Sequence, residues 1–192
     1  MRKFMLVDLE CTCDQNYDSI PASEMEIIEI GALKADDDLR QVAEFSALIK
    51  PVKHPVLTDF CTSLTGITNE ELSKSASGRV VVYTRFREWI ETTAESIPEW
   101  WGSWGLFDKS MFDSDAKAFN LSNPVGDLRH INIKQAHADF LHKEPTEIEP
   151  SLAELGLEFE GRQHRAFDDT SNILRIMQHT DGFFEYLKRQ SV

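Results

Sequence analysis

Apolar positions come as short dense runs in the first quarter of the chain and as helical stripes toward its end. Residues 3–10 form one such run. "EIIEIGALKA" (26–35) and "VAEFSALI" (42–49) follow it, partly β-branched and separated by polar turns such as "ADDDLR". Three successive strands with short connections are predicted, folded as an antiparallel meander. "PVKHPVLTDFCTSLTGITNEEL" reads as loop, with two prolines. It closes on Thr68-x-x-Glu71, the spacing of a capping box ahead of a short helix. "SKSASGR" is the most linker-like stretch but too short to divide domains. "VVVYTRFREWIETTA" is assigned as helix by its length. "EWWGSWG" then reads as strand, "FDKSMFDSDAKAF" as helix, "DLRHINI" as strand and "KQAHADFL" as helix. "AFDDTSNILRIMQHTDGFFEYL" reads as one or two amphipathic helices. No internal repeat or low-complexity segment occurs. Strands first and helices mostly later predict an α/β fold, a mixed sheet with helices packed on it, in a single domain over residues 1–192.

The first strand contains an anomaly. "LVDLECTC" places Asp8 and Glu10 inside an apolar run. Side chains on a strand alternate, so both acids face one way, with Cα atoms roughly 6.6 Å apart. Burying an unpaired carboxylate costs several kcal/mol, so such groups are normally paired, ligated or neutralised. Two carboxylates at this spacing can share or bracket hard divalent cations such as Mg²⁺ or Mn²⁺. An edge strand with both acids in water is the competing reading, and a D-x-E pattern occurs often by chance. Phe4 and Leu6 on the same face weigh against it.

Two further segments carry acids in telling places. In "HRAFDD", treated as a helix from Ala166, one apolar stripe runs through Ala166, Thr170, Ile173 and Met177, with Leu174 beside it. Asp169 flanks that stripe. Asp168 falls on the other side with Asn172 and Arg175, as a solvated acid favoured by the helix N-terminus. His164 lies just ahead, in a polar loop. In "SWGLFDKSMF", Asp108 follows an aromatic strand-like run and opens a helix.

Together, "VDLECTC", "SWGLFDKSMF" and "HRAFDDTSNI" match in order the three motifs of the DEDD exonuclease superfamily, DnaQ-like with a ribonuclease H-like fold. The histidine five residues before the last Asp is that of the DEDDh branch. "EIIEIGAL", "DFCTSLTGIT" and "LGLEFEGRQHRAFDDTSNI" resemble the Eri-type and KapD-like 3′ exonucleases. The resemblance implies a ribonuclease H-like mixed sheet, an antiparallel N-terminal meander continued by parallel strands and flanked by helices. It implies that Asp8, Glu10, Asp108 and Asp169 hold two Mg²⁺ or Mn²⁺ ions with His164 as general base. It assigns the terminal nucleotide to Phe60 and Leu64 of "FCTSL", to Phe107, and to the neighbourhood of Thr12. Cys11 stands where the family usually has Ala.

Composition narrows the partners. The net charge is −13 and the pI about 4.8, which excludes a broad cationic surface coating duplex DNA. A small nucleic-acid site whose positive charge comes from metal ions is compatible with it. An acid at position 8 comes too soon for a signal peptide, and no apolar run approaches a membrane span. Three unpaired cysteines fit reduced thiols, hence a cytoplasmic location. They lack the closely spaced ligand pairs of structural zinc sites.

The function these readings imply is metal-dependent 3′→5′ hydrolysis of single-stranded RNA or DNA ends, releasing nucleoside 5′-monophosphates. The alternatives are an oligoribonuclease-like enzyme for very short oligonucleotides, and a regulatory protein that binds ends or a partner on the same fold. All five catalytic positions are filled, which argues against the last.

Overall fold

The computed structural model describes residues 4–17, 19–92 and 97–190. Residue 3 of the predicted first strand and residues 93–94 of the predicted helix lie outside them. Strand β1 (Phe4–Cys11) is the centre of the molecule because both of its faces are apolar. Met5, Val7, Leu9 and Cys11 enter one core. Phe4 and Leu6 enter another on the opposite face. Such two-sided burial produces a near-continuous hydrophobic run rather than an alternation.

β2 (Ile27–Ala35) and β3 (Gln41–Leu48) complete the antiparallel meander. β4 (Trp100–Ser103) and β5 (Arg129–Asn132) add on the other side, both parallel. The strand order is β3-β2-β1-β4-β5, a mixed five-stranded sheet of ribonuclease H-like type, as predicted. α3 (Arg79–Thr92) and α4 (Phe107–Ala118) cover one face through Val82, Phe86, Trp89 and Phe112. α5 (Ile133–Leu141), α7 (Ala166–His179) and α8 (Phe183–Gln190) cover the other through Ile133, Ile173, Met177 and Phe183.

Three short elements depart from the sequence reading. The segment read as loop contains α1 (Asp59–Thr65). Thr58 caps it by accepting the Cys61 N–H, and Gly66 ends it in the left-handed conformation. Seven residues are too few to show a helical period. The Thr68 cap holds as predicted, accepting from Glu71 N at the start of α2 (Asn69–Ser75). "SKSASGR" is no linker: α2 runs through Ser75, and Ser77 bridges Ile49. α6 (Ile148–Glu154) was not anticipated. Pro150 reads as a breaker, yet it sits in the first helical turn, where no intrahelical N–H is needed. No described helix is long and apolar enough to cross a membrane.

Candidate active site

β1 carries its two acids at the end where its apolar face stops. Glu10 is buried and Asp8 half-buried, on the face that Phe4 and Leu6 share toward α7. β4 runs parallel to β1, so the turn after its C-terminal end lies beside the acids. That turn delivers Asp108 in the first turn of α4. In sheets of this kind ligands collect outside the carboxyl ends of parallel strands. Asp108 is buried, and its Oδ1 accepts Leu9 N–H at 3.0 Å, which ties the start of α4 to β1.

α7 brings the fourth acid across the sheet. The stripe expected from the sequence is present, with Ala166, Thr170, Ile173, Leu174 and Met177 all buried. Asp169 is buried on its flank. The chain before the helix turns at His164, whose φ of +59° is left-handed. The His164 side chain is exposed at the mouth of the site, and its backbone N–H faces the Asp169 carboxylate closely enough to favour the charged form. Ligand atoms of Glu10, His164 and Asp169 all lie within 4.8 Å of one another.

Asp168 is placed differently from the sequence reading. It is half-buried rather than free in water, and its Oδ2 accepts Arg162 N–H at 2.8 Å. Residues 158–162 cross this side of α7. Asn172 holds the backbone of Glu160 through both its side-chain atoms, and Arg175 donates to Glu158 O. A helical stripe reveals the apolar face of a helix but not a polar segment laid across the opposite one.

These groups surround one cavity of about 620 Å³. Asp8, Glu10, Asp108, His164 and Asp169 all line it. Leu64 and Phe107 line it too, the latter 50 % exposed. Phe60 is half-buried on α1 and is not among the lining residues. Nor is Thr12: it is fully buried, and its Oγ1 accepts Glu26 N–H at 2.9 Å. Cys11 and Cys13 form part of the wall. The sequence reading missed Ile148, Pro150 and Phe159, which line the cavity together with Trp104. The first two belong to α6 and Phe159 to the segment after it, and a proline in a first turn with Glu149 beside it was the available signal.

The electrostatics of the cavity call for cations. Burial first, then the neighbouring acids, raises the pKa of Asp8 and Glu10 well above the ordinary range. Burial pushes Asp108 to about 6, opposed by hydrogen bonds from Ser103 and Leu9. It pushes Asp169 to about 7, opposed by the His164 N–H. Burial lowers the pKa of His164, which keeps it neutral near pH 7. Four crowded, dehydrated carboxylates with one neutral imidazole fit hard divalent cations. In the metal-free protein, acids with raised pKa values bind protons more tightly folded than unfolded. Their contribution to stability is complete below their ordinary pKa values, and that of Asp108 and Asp169 is lost as pH rises through about 6 and about 7. The melting temperature of chelated protein is therefore expected to fall from pH 5 to pH 8, with Mn²⁺ raising it more at pH 8 than at pH 5. Thermal unfolding with and without Mn²⁺ checks this, and a metal shift independent of pH would refute it.

The sheet is of the ribonuclease H-like class, with four acids and a histidine gathered beside its central parallel strands. A family model described as Exonuclease (RNase T) matches residues 5–177, and the chain belongs to that exonuclease family. Its curated relatives include proteins named ERI1 exoribonucleases. It is 30 % identical over 200 residues to ERI1 exoribonuclease 2 of Danio rerio, covering 93 % of this chain and 35 % of that protein. It is 31 % identical over 192 residues to ERI1 exoribonuclease 3 of Homo sapiens, covering 91 % and 52 %. The chain thus spans about a third to a half of the length of these relatives. Among solved structures, the nuclease domain of 3′hExo, a DEDDh family member bound to rAMP, has the same fold. Its TM-score is 0.82 at 24 % identity, over 97 % of this chain and 92 % of that one.

Proposed function

We propose that this protein is a 3′→5′ exonuclease that releases nucleoside 5′-monophosphates from single-stranded RNA or DNA, with Mg²⁺ or Mn²⁺ as cofactor. One observation carries the reading. Asp8 and Glu10 of β1, Asp108 of α4, and His164 and Asp169 at the start of α7 come from three distant segments of the chain and line a single cavity with an aromatic wall. Asp8, Glu10, Asp108 and Asp169 would hold two divalent cations, which when bound supply Lewis acidity at the phosphodiester. The carboxylates would offset and position that charge. His164, neutral and at the mouth, accepts the proton of the attacking water. Phe107, Trp104 and Leu64 offer apolar surfaces on which one terminal base can stack without its identity being read. The kinship with proteins named exoribonucleases supports RNA as the preferred substrate.

The experiment is hydrolysis of 5′-labelled and 3′-labelled RNA and DNA oligomers with Mg²⁺ or Mn²⁺. The expected result is mononucleotide release from the 3′ end and protection by a blocked 3′-hydroxyl. Rapid cleavage within a circular single strand would overturn the reading.

One observation favours the narrower reading, an enzyme for very short oligonucleotides. Among the described residues, the cavity lining contains no Lys or Arg; Glu149 stands on its rim, and Glu147 beside it is paired with Lys134. Phosphates beyond the terminal nucleotide then find little attraction. Equal kcat/KM for dinucleotides and 20-mers supports this reading; a steep rise with length rejects it.

A further inference from the structure

"EIIEIGAL" resembles the family's sequence, yet the chemistry above uses none of its residues. The geometry points to Glu29 as a positioning residue for His164 and Asp169. This inference rests on the exonuclease reading of the site. Glu29 stands directly opposite Glu10 in the β1–β2 register, on the same face of the sheet. It is 2 % exposed, so it is a fifth acid beside the other four. Unlike them, it does not line the cavity.

Its oxygens are already engaged. Arg165 Nη2 donates to Oε1 at 2.8 Å, and Arg165 Nε lies 3.2 Å from both oxygens. Ala166 N–H donates to Oε2 at 3.0 Å. Arg165 is the N-cap residue of α7 and makes no side-chain cap bond of its own. Glu29 therefore supplies from another strand what a capping side chain supplies locally: an acceptor for an unpaired N–H and negative charge at the positive end of the helix. The guanidinium–carboxylate fork adds direction. Arg165 also reaches Glu71 on α2, which ties a third element to the joint.

Two more contacts seat the same turn. A Cβ at Gly31, the partner of Asp8, would lie 2.2 Å from Ala166 C and Phe167 N, so only glycine allows the helix to rest on β2. Thr170 Oγ1 donates to Ala166 O at 2.6 Å and also lies 3.2 Å from Gly31 O. His164 immediately precedes the clamped Arg165, and Asp169 N–H donates to Arg165 O at 3.0 Å. Holding Arg165 and Ala166 thus sets both the left-handed turn at His164 and the angle at which Asp169 enters the cavity. Neutralisation by Arg165 also keeps Glu29 from drawing a cation away from Glu10.

Glu29→Gln keeps the shape and one acceptor but loses the charged fork. Arg165→Met removes the other partner from a half-exposed position. The measurements are kcat, KM and Tm, together with amide hydrogen exchange of residues 164–170 in the metal-free protein. Glu29→Gln is expected to lower kcat about 10- to 100-fold with little change in KM. Exchange should accelerate in 164–170 but not in β1 or β2. Arg165→Met should behave alike, and the double variant should be no worse than either single one, as for residues acting as a unit. Wild-type kcat and wild-type protection in both variants would overturn the inference. So would exchange accelerating equally across the whole sheet, which marks general destabilisation. If the wild-type protein hydrolyses nothing, the exonuclease reading fails, and the exchange measurement alone still decides whether Glu29 holds the turn.

Discussion

Asp169→Asn is expected to reduce hydrolysis by about 10³-fold or more, while Asp168→Asn keeps activity within a few-fold of wild type. Residues that merely support a metal ligand already account for about 10- to 100-fold, so a ligand itself accounts for more. Adjacent helical residues point about 100° apart and cannot both address one site. Asp169 is the one buried against the sheet, with an oxygen within 4.8 Å of ligand atoms of Glu10 and His164. Asp168 turns instead to the loop, accepting Arg162 N–H. An Asn there retains an acceptor for that bond, so the loop that carries His164 stays in place. An Asn at 169 is a neutral and poorer ligand where full charge is needed. Steady-state rates of the two variants decide the matter. An inactive Asp168→Asn beside an active Asp169→Asn would invalidate the register of α7 and the assignment of the last acid.

Removal of divalent cations is expected to abolish hydrolysis altogether, and added Mg²⁺ or Mn²⁺ to restore it. The bare cavity does not attract its substrate. One ionised carboxylate and one phosphate about 4 Å apart repel by about 4 kcal/mol at an effective dielectric constant of 20, and burial and crowding keep part of this set of four acids protonated without metal, so the bare site offers a phosphate either repulsion or no countercharge. No Lys or Arg lines the cavity among the described residues to offset them. His164 can accept a proton, yet it cannot by itself stabilise charge building on a phosphodiester. Hydrolysis assays before and after exhaustive EDTA treatment test the expectation. Circular dichroism on the same samples separates loss of chemistry from loss of fold. Activity that survives chelation would reject a metal-dependent reaction.

Local signals in the sequence determined much of the molecule. The apolar run around Asp8 and Glu10 predicted β1, and Phe4 and Leu6 beside the two acids weighed against an edge strand; the structure buries both faces of β1. The stripe of Ala166, Thr170, Ile173 and Met177 gave the orientation of α7 and separated Asp169 from Asp168. Thr68 marked the start of α2. Each is a short-range pattern, set by the geometry of a strand, a helix or a cap. Periodicity singled out Asp8, Glu10 and Asp169, while the catalytic roles of these three, Asp108 and His164 came from motif resemblance, since no periodicity places Asp108 beside Leu9, 99 positions away.

Tertiary structure decided what meets across the sheet. Glu29 and Arg165 are 136 positions apart and have no common signature, yet their pairing orients the first turn of α7. Asp168 reads as solvated until residues 158–162 cross its side of the helix. Thr12 reads as part of a pocket until its hydroxyl is found holding Glu26. Hydrophobic periodicity records which face of an element is buried, because burial is a property of each residue. It does not record which distant polar group a side chain will meet. That depends on strand order and on the angle at which one element crosses another, and both are set only when the two cores close on β1.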